Sequence, residues 1–91
     1  MRPAVVVANA GRGDWILCQV TSKPYADTRS IALADSDFLS GSLRVASFAR
    51  PGKLFTASHT LLVSEYAVLT EQACARVVAA IVDMFQSPTI R

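Results

Sequence analysis

Apolar residues in the first two thirds of the chain form short runs separated by turn residues. The run Ala4–Ala8 is continuously apolar, as in a strand buried on both faces, and Asn9–Asp14 reads as a turn. Two further runs predict strands at Trp15–Thr21 and Arg29–Ala34, joined by a loop at Ser22–Asp27. Short strands at this spacing favour a small barrel or sandwich over a doubly wound sheet.

The middle of the chain continues the strand pattern. Ser42–Ala49 alternates apolar and polar positions, which predicts a strand with one face covered. Asp35 and Asp37, which precede it, are typical turn residues. We expect Arg50–Gly52 to break the strand because it contains Pro and Gly, and Lys53–Val63 to hold one or two further short strands.

The C-terminal part has a helical pattern. Thr70 is a suitable N-cap, no Gly or Pro follows it until Pro88, and the spacing predicts a helix at about 70–86. Arg76 and Asp83 should face outward. The residues expected to pack on the sheet are Ala73, Val77, Ile81 and Phe85, with Val78 and Met84 beside them. The sequence therefore predicts a mainly β fold with a C-terminal helix.

Composition limits the protein class. A chain of 91 residues with 52% hydrophobic and 18% charged residues predicts a single folded domain, residues 1–91, rather than a disordered segment. A small domain with this many apolar residues has little polar surface, so its composition favours an oligomer in which a second subunit covers part of it. The first residues lack the long apolar region of a signal peptide, and no transmembrane stretch follows. We therefore expect a cytoplasmic protein that does not bind membranes.

The metal-ligating residue types are few. Cys18, Cys74 and His59 are far apart in sequence and form no zinc-binding pattern, so the cysteines are interpreted as buried, reduced thiols. The chain also lacks a Ser-His-Asp motif, an HExxH motif, a glycine-rich phosphate loop and a carboxylate cluster of the kind that holds metal. We expect neither a metal nor a cofactor.

A local cluster of basic residues stands out from this background. The stretch Leu43–Thr56 contains Arg44, Arg50 and Lys53, and no Asp or Glu occurs between Asp37 and Glu65. The whole chain carries a net charge of only +2, so the cluster is a local feature. It has three interpretations: a solvated basic face, a nucleic-acid groove, or a docking surface for an acidic partner.

Cationic and hydroxyl groups are the remaining candidates for chemistry. Adjacent strand ends can bring Arg2 and Thr21 together, and a guanidinium group binds a phosphate through two parallel hydrogen bonds. Such a pair suits phosphodiester substrates. RNA cleavage without a metal is feasible because the 2′-hydroxyl is a built-in nucleophile, which leaves the protein to position and neutralise the phosphate.

Three segments together resemble a known family. "RPAVVV" at the start, "WILCQVTS", and "LRVASFARPGKLFT" followed by a closing helix are similar, in order and spacing, to the MazF/PemK toxins of bacterial type II toxin–antitoxin systems. The resemblance implies a small SH3-like β-barrel with a C-terminal helix that forms a homodimer. It also implies a metal-independent, sequence-selective endoribonuclease (an mRNA interferase) that cleaves single-stranded RNA, inhibits growth and is neutralised by an acidic antitoxin.

The resemblance also implies roles for individual residues. Arg2 matches the catalytic arginine of the family's "RP" motif and would stabilise the charged phosphorane. Thr21 matches the Thr or Ser that ends the next long strand and would hold the phosphate or the 2′-hydroxyl in line. The residues expected to bind RNA or antitoxin are Ser22, Ser47, Arg50 and Lys53.

The chain departs from the family pattern at one point. Family members carry a strand and a mobile loop before the "RP" motif, whereas here Met1 directly precedes it. We therefore expect an N-terminally shortened barrel that folds but cleaves RNA weakly or not at all. Three hypotheses follow: a toxin ribonuclease, a degenerate non-catalytic module that still binds an antitoxin or dimerises, and an SH3-like RNA-binding domain without a partner protein.

Overall fold

A computed structural model describes residues 4–23, 27–40, 46–59 and 66–87. These residues form a mainly β fold with one C-terminal helix, as the sequence predicts. Within them, no helix is long and apolar enough to span a membrane. The elements in chain order are β1 (Ala4–Gly11), β2 (Asp14–Thr21), β3 (Ile31–Leu33), a 3₁₀ helix (Asp35–Asp37), β4 (Phe38–Ser40), β5 (Ser47–Ser58), β6 (Tyr66–Leu69) and α1 (Glu71–Gln86).

The strands form one sheet in the order β3-β5-β2-β1-β6-β4. All neighbouring pairs are antiparallel except β1 and β6, which run parallel. The sheet curls into a half-barrel, which is consistent with the predicted small β-barrel. Strand β6 was not predicted from the sequence.

Helix α1 packs against the concave side of this sheet. The buried core there consists of Val5, Cys18, Val20, Leu33, Ala49, Leu69, Ala73 and Val77. Because side chains alternate along a strand, residues between these positions point away from the core. The sheet therefore has an inner face toward the helix and an outer face on the opposite side.

A tight hairpin joins β1 to β2. Gly11 pairs with Asp14, which leaves Arg12 and Gly13 as the two turn residues. Both have positive φ angles, 56° and 81°, as a type I′ turn requires. The turn predicted at Asn9–Asp14 is confirmed at its centre, although β1 continues to Gly11. Strand β1 is buried at Ala4 but exposed from residue 8 onward, so burial on both faces is wrong for its second half.

Strand β5 passes through the Pro-Gly pair, so the predicted break at Arg50–Gly52 is wrong. Ala49 pairs with Val20, and Leu54 pairs with Cys18. Residues 50–53 of β5 therefore lie opposite one residue of β2, Gln19. The chain therefore bulges at this point and continues as a strand to Ser58. Proline is tolerated in a bulge because the ladder needs no N–H group there. Residues 42–45 and 60–63, predicted as strand, lie outside the described residues.

Helix α1 begins where the sequence predicts. The Thr70 hydroxyl accepts a hydrogen bond from the backbone N–H of Ala73 at 3.1 Å, which is N-cap geometry. Ala73 and Val77 are fully buried, but Phe85 is 68% exposed, so its predicted place in the core is wrong. A residue repeating every four positions drifts about 40° around a helix per step, and three steps carry Phe85 off the buried face. Pro88 lies outside the described residues.

Arg76 and Asp83 of α1 face outward as predicted, and each pairs with a residue outside the helix. Arg76 Nη2 lies 3.1 Å from Asp37 Oδ2, and Arg29 Nη1 lies 3.5 Å from Asp83 Oδ2. Asp37 Oδ2 also accepts a hydrogen bond from the backbone N–H of Ala34 at 2.8 Å. This bond, followed by the one from Arg76, lowers the pKa of Asp37. Asp37 therefore acts as a turn residue, in agreement with its prediction.

Candidate nucleic-acid interface

The predicted site residues fall into two groups. Arg2, and Arg44 of the basic stretch, lie outside the described residues. Thr21 ends β2, and Ser22 follows it on the surface. Lys53 lies in the bulge of β5 and is exposed. The described part of the predicted site thus comprises Thr21, Ser22, Ser47, Arg50 and Lys53.

Three strands meet beside Gln19. On one side Gln19 pairs with Ala4, the first described residue of β1. On its other side it faces the bulge that contains Arg50 and Lys53. The start of β1, the end of β2 and the bulge of β5 therefore adjoin, and Thr21 lies two residues beyond Gln19. The expected proximity of Thr21 to the start of the first strand agrees with this register.

The outer face carries aromatic side chains beside these polar groups. Gln19 and Thr21 alternate with core residues, so they point outward. Phe48 pairs directly with Thr21 and is half-buried, and Phe55, which pairs with Leu17, is 44% exposed. Neither phenylalanine nor Gln19 was singled out from the sequence. The sequence could have indicated them by alternation: Gln19 precedes the apolar Val20, and Phe55 follows the apolar Leu54. The wrongly predicted break in β5 concealed this alternation for Phe55.

The Thr21 hydroxyl already takes part in a local turn. Its Oγ1 accepts a hydrogen bond from the backbone N–H of Lys23 at 3.1 Å and donates to the Lys23 carbonyl at 3.3 Å. Such side-chain turns are common after strands and have a purely structural role. A ligand that accepts the hydroxyl proton must replace the Lys23 carbonyl, and both bonds are exposed enough for that exchange.

Arg50 has an acidic partner that its sequence neighbours do not reveal. Its Nε donates to Asp27 Oδ2 at 2.8 Å, and the backbone N–H of Arg29 donates to Asp27 Oδ1 at 3.0 Å. The hydrogen bond from Arg50 is the main cause of a lowered pKa of Asp27. Arg50 is therefore largely charge-compensated. Within the described ranges neither Lys53 nor the exposed Lys23, which follows Thr21 by two residues, has an ion-pair partner, so both are uncompensated cations beside Thr21.

Ser47 does not belong to this surface. It is only 4% exposed and lies on the same side of β5 as Ala49, which is in the core. The prediction that Ser47 contacts RNA or an antitoxin does not fit this position. The error has the same origin as the missed aromatics, because Ser47 was placed by its basic neighbours rather than by its side of the strand.

Comparisons with known proteins add no assignment. The chain matches no protein-family model and no curated protein sequence. In addition, no three His, Cys, Asp or Glu side chains among the described residues are close enough together to hold a metal ion. The function is therefore inferred from the geometry of the outer face and from the sequence motifs.

Proposed function

We propose that the outer face binds single-stranded RNA and that this protein is a toxin-type endoribonuclease resembling MazF/PemK. The observation that carries the proposal is the meeting of three strands at Gln19, which gathers Thr21, Lys53 and Phe48 on one surface. A cation, a hydroxyl and an aromatic ring in one place are the groups that bind a phosphate and an unpaired base.

The recognition chemistry is that of sequence-tolerant single-strand binding. Lys53 attracts the phosphate backbone, and binding then weakens as salt is added because bound counterions are released. Phe48 and Phe55 offer ring surfaces on which bases stack. Their partners on β2 are four residues apart, about 13 Å along the strand, so the rings suit two separate bases rather than one.

Cleavage would use the built-in nucleophile of RNA. The 2′-hydroxyl gives its proton to water as its oxygen forms a bond to phosphorus, and the bond from phosphorus to the 5′-oxygen breaks. The leaving 5′-oxygen takes a proton from water, which leaves a cyclic phosphate and a 5′-hydroxyl end. We assign the neutralisation of the phosphorane to Arg2 and the alignment of the phosphate to Thr21, whose hydroxyl exchanges its bond to the Lys23 carbonyl for one to the substrate. Neither a metal nor a cofactor takes part in this scheme.

The partners follow from the same surface. An acidic antitoxin would compete with RNA for Lys53, and the protein would act in the cytoplasm as a homodimer.

The alternative is a non-catalytic toxin-like module that binds an antitoxin or dimerises. Two observations favour this alternative: Arg50 is neutralised by Asp27, and the Thr21 proton is already donated within the chain.

Binding of a labelled single-stranded RNA, measured by fluorescence anisotropy over a salt series, tests the interface. Lys53→Ala should weaken binding and reduce the salt slope by about 0.7, whereas Arg12→Ala at the hairpin tip should leave both nearly unchanged. Phe55→Ala should weaken binding without changing the slope. Binding that is independent of salt, or equally weakened by Arg12→Ala, would contradict this interface.

Mapping of RNA 5′ ends after induction in a bacterial host tests catalysis. We expect new 5′ ends that disappear with Thr21→Ala or with Arg2→Ala, while circular dichroism shows an unchanged fold. RNA binding without new ends would contradict catalysis and favour the SH3-like RNA-binding domain, whereas neither RNA binding nor new ends would favour the non-catalytic alternative. New ends that persist in both variants would contradict the assignment of the catalytic pair.

A further inference from the structure

Gln19 presents an unengaged side-chain amide on the outer face. It lies on β2 between Cys18 and Val20, which both belong to the core, so its half-buried side chain points outward. Within the described part of the chain, no hydrogen bond holds this amide. A glutamine amide carries a donor and an acceptor side by side, so a ligand can bind it at both atoms.

Two aromatic rings flank Gln19 along the outer face. Phe48 pairs with Thr21, two residues after Gln19, and Phe55 pairs with Leu17, two residues before it. Because alternate residues of a strand share a face, each ring lies one repeat from the amide, about 7 Å along the strand. Gln19 is therefore midway between the rings.

The side chains across the sheet from Gln19 leave room above it in the part of the chain that the structure describes. Its partner on β1 is Ala4, whose side chain ends at Cβ. In the bulge of β5, Pro51 is buried and Gly52 has no side chain. The exposed Lys53 completes the bulge. The amide is therefore accessible between two rings, with a cation beside it.

The spacing of the rings determines how an RNA strand would meet the amide. The partners of the two rings on β2 are four residues apart, about 13 Å along the strand. Neighbouring stacked bases are only about 3.4 Å apart along a nucleic-acid strand. Two bases held on these rings are therefore not neighbours, and a strand that reaches both rings brings an intervening base over Gln19.

We propose that Gln19 selects this intervening base and that the base is adenine. The proposal rests on the proposed binding of single-stranded RNA to the outer face. The rings alone accept any base, because every base has a face on which an aromatic ring stacks. A hydrogen-bonding contact to the edge of an unpaired base adds the selectivity that stacking lacks.

The choice of adenine follows from the donors and acceptors of the bases. A glutamine amide forms two parallel hydrogen bonds with N6–H and N7 of adenine. In an unpaired adenine, N6–H and N1 offer the same pattern, so the amide can bind either edge. Guanine, cytosine and uracil present an adjacent donor and acceptor on the Watson–Crick edge only. A fixed amide therefore favours adenine.

The polar groups next to Gln19 are less suited to this role. Lys53 is a flexible cation that binds phosphates in any sequence. The Thr21 hydroxyl is engaged with the backbone of Lys23 as both donor and acceptor. Of these three side chains, only that of Gln19 combines a donor and an acceptor without a hydrogen bond to give up among the described residues.

Fluorescence anisotropy at fixed salt tests the proposal with oligouridine and with oligouridines that carry one central A, C or G. Wild type should bind the A-containing strand roughly tenfold more tightly than oligouridine. Gln19→Ala should bind all the strands alike. Gln86→Ala, the same substitution at an exposed position of α1, is the matched control and should retain the preference. Lys53→Ala should weaken binding of all the strands by one common factor.

A reversal of preference separates base selection from a structural role. Gln19→Glu replaces the donor by a second acceptor, and guanine is the base that presents two adjacent donors, N1–H and N2–H. This variant should therefore prefer the G-containing strand to the A-containing one, although its negative charge weakens binding of every strand. Loss of stability cannot produce such a reversal, and circular dichroism will show that each variant is folded.

The outcomes distinguish this proposal from the function on which it rests. Salt-dependent binding without a base preference would overturn the role of Gln19 and leave the RNA interface intact. A preference that persists in Gln19→Ala, or a wild-type preference for another base, would also overturn it. If no strand binds, the RNA interface itself is contradicted, and the role of Gln19 is lost with it.

Discussion

Arg50 illustrates how much one residue can connect beyond its sequence neighbourhood. Its guanidinium binds Asp27 across the loop that follows β2, and its carbonyl accepts the Cys18 thiol at 3.0 Å. The carbonyl is available to the thiol because the bulge of β5 removes it from the regular ladder. No pattern near Arg50 in the sequence indicates either partner, since Asp27 is 23 residues away and Cys18 is 32 residues away.

The Asp27–Arg50 pair should make stability depend on acid pH. The pKa of Asp27 is lowered in the folded state, so its contribution is present at neutral pH and is lost as the pH falls through the folded pKa. Asp27→Asn should cost about 1 kcal/mol at pH 7, because the pair is partly exposed, and progressively less as the pH falls below the ordinary pKa of an aspartate. Urea unfolding at several pH values measures this difference. Asp35→Asn, at an exposed turn position, is the control and should show no comparable trend.

The two cysteines should differ in reactivity. Burial raises the pKa of Cys18 to about 11, whereas Cys74 is only half-buried and lines an apolar groove beside helix α1. Because the thiolate is the reactive form, alkylation of the native protein at pH 8 should modify Cys74 at least roughly tenfold faster than Cys18. Peptide mass spectrometry measures both rates. Equal rates in the native protein would contradict the burial of Cys18, and denaturant should abolish the difference.

At the scale of the elements, contacts between sequence neighbours were enough to predict the start of helix α1 but not the course of strands β5 and β6. The cap at Thr70 is a contact between neighbours in sequence, so the start of α1 could be predicted. The continuation of β5 through Pro51 depends on its pairing with β2, which sequence cannot show. The short strand β6 is defined by its partners β1 and β4 rather than by its own pattern. Long-range pairing therefore explains most of the errors.

The β1–β2 hairpin should depend on backbone conformation at its turn. Gly13 has a φ angle of 81°, and a Cβ added there would meet no atom within 4 Å, so a side chain would be opposed by strain rather than by a clash. Gly13→Ala should lower the free energy of unfolding by about 1 kcal/mol. Arg12→Asn is the matched control and should be neutral or slightly stabilising, because Asn tolerates positive φ better than Arg. Equal loss in both variants, measured by urea unfolding, would contradict the turn type.

At the scale of the molecule, the outer face and the exposed apolar residues of the helix lie on opposite sides of the sheet. The outer face carries Lys53, Thr21 and the two phenylalanines. The exposed apolar residues Val78, Val82 and Phe85 belong to the helix that covers the inner face. The sequence identified Thr21 and Lys53 because their chemistry is evident from residue type. It could not show that Phe85 is exposed, because an apolar helix residue indicates burial without showing which side of the helix the sheet covers.

RNA binding and dimerisation should therefore be separable. Val82→Glu, which charges an exposed apolar residue of the helix, should change the affinity for single-stranded RNA, expressed per chain, by less than about threefold at fixed salt, since the new charge is separated from the outer face by the sheet. Lys53→Ala should weaken RNA binding while the sedimentation coefficient remains that of the dimer. Fluorescence anisotropy and sedimentation on the same preparations give both quantities. If Val82→Glu abolishes RNA binding along with the dimer, RNA must contact both copies, and the outer face of one chain is not sufficient.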